Sequence, residues 1–148
     1  MDQEILSKIH LTLYSDIKYL DIVQSVSDSF SAMAGFDEEE VYKVGLSVRE
    51  AVTNAILHGN KNDPAIPVGL CFQQAGDRLI VKVTDQGEGL DERNLPDPLD
   101  PDHLLKPGGR GIFLVKAFMD NVVINTPDGG GTEIVMEKFN KEGEKNED

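Results

Sequence analysis

Val41, Val44, Val48, Ala51, Val52 and Ala55 recur at helical spacing between Asp37 and Gly59, and this stripe is the strongest constraint on how the chain folds. Asp37 is suited to cap such a helix. Glu38, Glu39 and Glu40 fill a first turn where the helix dipole favours negative charge, and Gly59 suits its close. A helix with one apolar side needs an apolar layer to cover it. Its other side carries Lys43, Ser47, Glu50, Asn54 and His58. Glu50 and Asn54 lie about one helical turn apart and therefore project from one face. An acid and an amide so placed can be ordinary solvated side chains or part of a site, and the helix alone does not decide between them.

The covering layer is found in alternating segments. Lys8 to Tyr14 alternates Ile9, Leu11 and Leu13 against His10 and Thr12, the pattern of a half-buried strand. Ser15 or Asp16 then caps a helix to about Ala34, with Ile17, Leu20, Val23, Val26 and Phe30 at helical spacing and Gly35 just past its end. Val68 to Gln74 and Arg78 to Thr84 form a hairpin about Ala75-Gly76-Asp77. An apolar helix, Ile112 to Met119, and two strands, Asn121 to Asn125 and Thr132 to Phe139, complete the series. This order predicts an α+β two-layer sandwich, with helices on one face of a mixed, mainly antiparallel sheet. Leu90 to Gly108 lacks periodicity and carries four of the seven prolines; a loop of that length is functional or disordered. One domain is expected over residues 8–139, followed by a charged, disordered tail at 140–148.

Length and charge narrow the function. A chain of 148 residues buries about two-thirds of its unfolded surface and needs no staples. The single Cys71 cannot form an intrachain disulfide, and no N-terminal apolar run suits a signal peptide or membrane helix, which implies a reducing, intracellular (cytoplasmic) location. With 27 acidic against 14 basic side chains the formal net charge is -13, which opposes direct nucleic-acid or membrane-surface binding. The same charge repels a nucleotide's phosphates. Such a ligand would have to be held by backbone N–H groups, a few cations or a metal ion.

Three glycine-rich stretches offer that kind of support. Asp85-Gln86-Gly87-Glu88-Gly89 follows a strand; its glycines permit close approach of a flat ligand, and Asp85 can accept hydrogen bonds from an exocyclic amino group such as adenine's. Gly108-Gly109-Arg110-Gly111 precedes a helix, where free N–H groups and the dipole suit an anion, with Arg110 and Lys106 adding charge. Gly129-Gly130-Gly131-Thr132 precedes the last strand. Each is also an ordinary turn composition when taken alone.

Taken in order, Glu50-x-x-x-Asn54, Asp85-x-Gly87-x-Gly89, Gly109-x-Gly111 and Gly131-Thr132 resemble the four nucleotide-binding boxes of the GHKL (Bergerat-fold) ATPase and kinase superfamily. The wording around Glu50-Ala-Val-Thr-Asn54-Ala-Ile-Leu-His58-Gly59 and Gly111-Ile-Phe-Leu-Val-Lys-Ala-Phe-Met-Asp120 is most similar to its anti-sigma-factor serine kinases, over about residues 8 to 139. The resemblance implies ATP and Mg²⁺ as cofactors. It implies that Glu50 takes the proton from an attacking serine hydroxyl and that Asn54 gives its side-chain oxygen to Mg²⁺. Asp85 would bind the adenine amino group, with Gly87, Gly89 and Thr132 shaping the base pocket. Lys106, Gly109, Arg110 and Gly111 would close over the phosphates. The implied partners are an anti-sigma factor antagonist protein, a sigma factor and a second copy of the chain, with the N-terminal strand and first helix as the dimer surface. A nucleotide-binding switch without transfer is the alternative. A detached histidine-kinase domain is a third; the chain lacks a dimerising helix bearing a phosphoacceptor His, His10 lying in a strand pattern. His58 suits a structural place at a helix end, and His103 has no partner that can be named.

Overall fold

A computed structural model describes residues 5–87 and 111–140. Five strands form one sheet in the order β1-β2-β3-β5-β4, and each neighbouring pair is antiparallel. They are β1 (Ile5–Tyr14), β2 (Pro67–Ala75), β3 (Arg78–Thr84), β4 (Asn121–Asn125) and β5 (Glu133–Phe139). β1 starts earlier than the alternation at Lys8 suggests, and a bulge between Ile5 and Ser7 accounts for the broken pattern there. β2 and β3 are joined at Gly76, whose φ of 62° suits glycine.

Among the described residues three helices supply the second layer: α1 (Leu20–Met33), α2 (Glu38–Asn54) and α3 (Gly111–Phe118). Val44, Val48, Ala51, Val52 and Ala55 are buried, as the stripe predicts. They share one core with Val68, Leu70 and Phe72 of β2, Leu79, Val81 and Val83 of β3, and Ile134 and Met136 of β5. Alternate residues of each strand thus face the helices. Phe30 of α1 meets Phe72 with ring centroids 5.6 Å apart.

The caps fall where the sequence puts them. Asp16 accepts from the Lys18 amide at 2.9 Å, opening a 3-10 turn (Ile17–Tyr19) that leads into α1. At the other end Gly35 (φ 96°) donates to Ala32 O and Phe36 donates to Ser31 O, a left-handed cap that satisfies the last carbonyls. Asp37 caps α2 by accepting from Glu40 N at 2.8 Å.

One expectation for α2 needs correction and another refinement. Ser47, assigned to the polar side, is fully buried, because its hydroxyl donates back to Lys43 O at 2.8 Å and so needs no water. The helical run does end at Gly59, but not as an α-helix: beyond Asn54 the chain widens into a π-helical turn, Ala55–Gly59, with Asn60 as its cap.

Cys71 is a buried free thiol. Asn140, counted with the tail by sequence, is tied down by hydrogen bonds to Asp77 O (2.8 Å) and Gly35 O (3.2 Å). The rest of the tail and the loop from Leu90 to Gly108, with His103, lie outside the described residues. No helix among the described residues is long and apolar enough to cross a membrane.

Candidate functional site

The sheet delivers Asp85 directly after the last ladder pair of β3 and β5, Thr84 opposite Glu133. The ladder runs on one step: Asp85 N donates to Thr132 O at 3.0 Å. Asp85 Oδ1 accepts from Thr132 N at 3.1 Å and from Gly87 N at 2.9 Å. Oδ2 takes no donor among the described residues. The side chain is buried, and desolvation raises its pKa above the usual carboxylate value while the two amide bonds pull the other way.

Glycine is required where three segments converge on this carboxylate. A Cβ on Gly59 would strike the Asp85 carboxylate, and one on Gly87 would strike the Gly59 carbonyl. Gly131, at φ 87°, donates to Gly87 O at 2.7 Å, and a Cβ there would strike the Asp85 carbonyl. The π turn, the Asp85 loop and the turn before β5 are therefore interlocked by backbone.

Asn60, not among the residues singled out by sequence, holds the junction. It is buried, and its Oδ1 accepts from Gln86 N at 2.8 Å. Its Nδ2 donates to Ser15 Oγ at 2.9 Å and Pro67 O at 3.1 Å. One amide side chain thus joins the end of the π turn, the end of β1, the start of β2 and the Asp85 loop. Its place immediately after the His58-Gly59 pair is the only sequence signal for it.

At the other end of the π turn stand Glu50 and Asn54, both half-buried. The start of α3 presses on them: a Cβ on Gly111 would lie 2.6 Å from Asn54 Nδ2 and 3.2 Å from Glu50 Oε2. Asn54 Oδ1 is buried with no hydrogen-bond partner. An orphaned amide oxygen is costly unless something supplies positive charge to it, and a hard cation such as Mg²⁺, which takes oxygen ligands, fits that need. Among the described residues no group of three His, Cys, Asp or Glu side chains could hold a metal by itself. Asn54 would be one protein ligand for an ion otherwise coordinated by water and phosphate oxygens.

The fold thus gathers two sets of the expected residues, Glu50, Asn54 and Gly111 at one end, and Asp85, Gly87 and Thr132 at the other, joined by the π turn. Gly89, Lys106, Gly109 and Arg110 lie outside the described residues. His58 is exposed on the π turn, and His10 is exposed on β1 opposite Cys71.

A sheet covered by helices on one face, with an acid-and-amide helix at one end and a buried aspartate among glycines at the other, defines a nucleotide-binding α+β domain. Residues 13–138 match the histidine kinase-like ATPase domain family, and the chain belongs to it. It is 29% identical over 128 residues to a serine-protein kinase RsbW of Staphylococcus epidermidis, covering 82% of this chain and 80% of that one. It is 35% identical over 104 residues to an anti-sigma F factor of Clostridium acetobutylicum, covering 68% of this chain and 71% of that one. Among solved structures, that of the RsbU and RsbW domains of a Mycobacterium tuberculosis protein superposes with a TM-score of 0.63 at 21% identity, over 90% of this chain and 32% of that longer one. This last likeness bears on the fold.

Proposed function

We propose that the chain is an ATP-dependent serine protein kinase of the anti-sigma-factor type, transferring the γ-phosphoryl group of ATP to a serine of an antagonist protein and sequestering a sigma factor. The observation that carries the reading is the pairing of a half-buried carboxylate with an orphaned amide oxygen, Glu50 and Asn54, against the backbone of Gly111. The names of the relatives, serine-protein kinase and anti-sigma F factor, support the same reaction class.

In this reading Asp85 accepts the exocyclic amine of adenine through its free oxygen, held in orientation by the Gly87 and Thr132 amides. Asn54 Oδ1 ligates Mg²⁺. Glu50 accepts the proton of the incoming serine hydroxyl. Bound Mg-ATP supplies the phosphoryl group and neutralises its charge, which matters for a chain of net charge -13. The protein's own contribution is alignment and proton acceptance. No direct nucleic-acid or membrane contact is part of this function.

The chain works as a homodimer. A groove of about 600 Å³ between β1 and α1, lined by Ile9, Ile22, Val26, Phe30 and Met33, supports a second copy seated there. Ile22 and Met33 are 61% and 63% exposed, apolar surface that a second copy would cover.

The test is transfer of labelled phosphate to an antagonist captured by pull-down with and without ATP, followed by phosphosite mapping. Glu50→Ala is expected to lower transfer by ~10²–10⁴-fold with ATP still bound. Nucleotide-dependent capture of the antagonist with no transfer by the wild type would assign the chain instead as a switch module. Equal transfer by Glu50→Ala and wild type would remove Glu50 from its role.

A further inference from the structure

Lys138 occupies a place where the strand pattern calls for an apolar side chain. It follows Ile134 and Met136 on the helix-facing side of β5, pairs with fully buried Leu79 across the ladder, and is itself only 5% exposed. A lysine ammonium there must be compensated, since desolvating it is costly. Two groups do so. Lys138 Nζ donates to the carbonyl of Phe118, the last residue of α3, at 2.7 Å. It also lies 2.9 Å from Glu40 Oε2, in the first turn of α2, as an ion pair not aligned as a hydrogen bond. A cation at a helix C-terminus and a carboxylate in a first turn both match the helix dipoles.

A buried ion pair is a poor way to gain stability, because apolar residues of similar volume commonly do as well or better; what it can specify is register. Here the register has a consequence. α3 leaves Asn54 and Glu50 at Gly111 and ends at Phe118 beside Glu40, so it runs antiparallel to α2 and is fixed at both ends. A shift of α3 by one residue is about 1.5 Å, and it would displace the Asn54 amide, since a Cβ on Gly111 would already lie 2.6 Å from Nδ2.

We propose that Lys138, together with Glu40, is a positioning residue for the phosphate end of the nucleotide site: it sets the height of α3 on α2, and thereby the fit of Gly111 against Asn54 and Glu50. This rests on the ATP reading above. The adenine end is built from the π turn, the Asp85 loop and the turn before β5, with no contact from Lys138 among its hydrogen bonds. The two ends of the site therefore separate the hypothesis from a general structural role.

The measurement is affinity by titration calorimetry for Mg-ATP and, separately, for adenosine, on the full chain. The double variant Lys138→Met with Glu40→Leu removes both charges together and leaves neither stranded. It is expected to melt near the wild type, to bind adenosine with unchanged affinity, and to bind Mg-ATP at least tenfold more weakly. Lys138→Arg, which keeps the charge but changes the length and shape of the donor at a site only 5% exposed, is expected to bind Mg-ATP with an affinity between wild type and the double variant. Glu40→Gln, which keeps the shape and an oxygen beside Lys138 but removes the opposing charge, shifts Mg-ATP affinity in the same direction as the double variant and serves as a second test if that variant does not fold. Unchanged Mg-ATP affinity in the double variant and in Glu40→Gln, or equal losses for Mg-ATP and adenosine, would overturn the proposal. A wild type that binds neither ligand would overturn the ATP reading itself, and this proposal with it.

Discussion

Replacing Asn60 with alanine should damage both the fold and the adenine end of the site, by an amount that can be worked from its bonds. The amide makes three hydrogen bonds from a residue only 2% exposed. Alanine strands the Gln86 N–H and the Pro67 carbonyl. Ser15 Oγ keeps a partner, because it donates to Ile66 O at 2.7 Å. Each stranded buried group costs roughly 1–3 kcal/mol, and Gln86 is exposed enough to recover part of its share from water, so a loss of about 2–4 kcal/mol is expected. For a domain of this size each kcal/mol is worth about 2–4 °C, placing the fall in Tm at roughly 5–15 °C. Urea unfolding followed by circular dichroism gives the free energy directly, and the slope should not change, since no more surface is exposed. Asn60→Asp keeps the acceptor for Gln86 N but buries a carboxylate with one oxygen against the Pro67 carbonyl, so near neutral pH it should cost at least as much as alanine. A loss below about 0.5 kcal/mol for alanine, within the range of ordinary surface changes, would refute the assignment of Asn60 as the tie between the π turn and the Asp85 loop.

Asp85 should make both stability and ligand affinity depend on pH. Its pKa is raised in the fold, so its stabilising contribution is complete below the unfolded carboxylate value near ~4 and is lost as pH rises through the folded value. Asp85→Asn, which cannot ionise, should therefore gain stability relative to wild type as pH is taken from acid to neutral, by thermal melts across that window. Adenosine affinity of the wild type should fall on acidification at a pH above the ordinary Asp range, whereas Asp85→Asn should bind weakly and without that dependence. Gly59→Ala should abolish adenosine binding more completely than it lowers Tm, because the added methyl collides with the Asp85 carboxylate; wild-type affinity in this variant would contradict the packing described. Ile22→Asp should convert a dimer to monomers in sedimentation equilibrium, and an unchanged mass would remove the β1–α1 groove as the dimer surface.

Periodicity made the α2 stripe and the shared face of Glu50 and Asn54 legible, since both depend on spacing within one element. Side-chain chemistry that returns to its own backbone was not: Ser47 looks polar by type and is buried because Lys43 O satisfies it. Gly59 reads as a helix end and is one, but its missing Cβ also serves a contact with Asp85, far along the chain, which punctuation does not reveal. Asn60 escaped notice because its partners lie 45, 7 and 26 residues away. Lys138 falls on the inward alternation of β5 with Ile134 and Met136, and a charge there has no explanation in the sequence until Phe118 and Glu40 are brought to it. Nor does alternation specify that β5 lies between β3 and β4; that order follows from tertiary pairing, and it is what brings Thr132 beside Asp85.

Cys71, buried in the central part of β2 and the only cysteine in the sequence, gives the molecule a built-in clock. It lies opposite exposed His10 on β1 and Lys82 on β3, on the face of the sheet away from the helices, so a thiol reagent reaches it once the side chains that cover it there move aside. The labelling rate of the unaltered protein thus reports motion on the uncovered face of the sheet, with no engineered probe to disturb it.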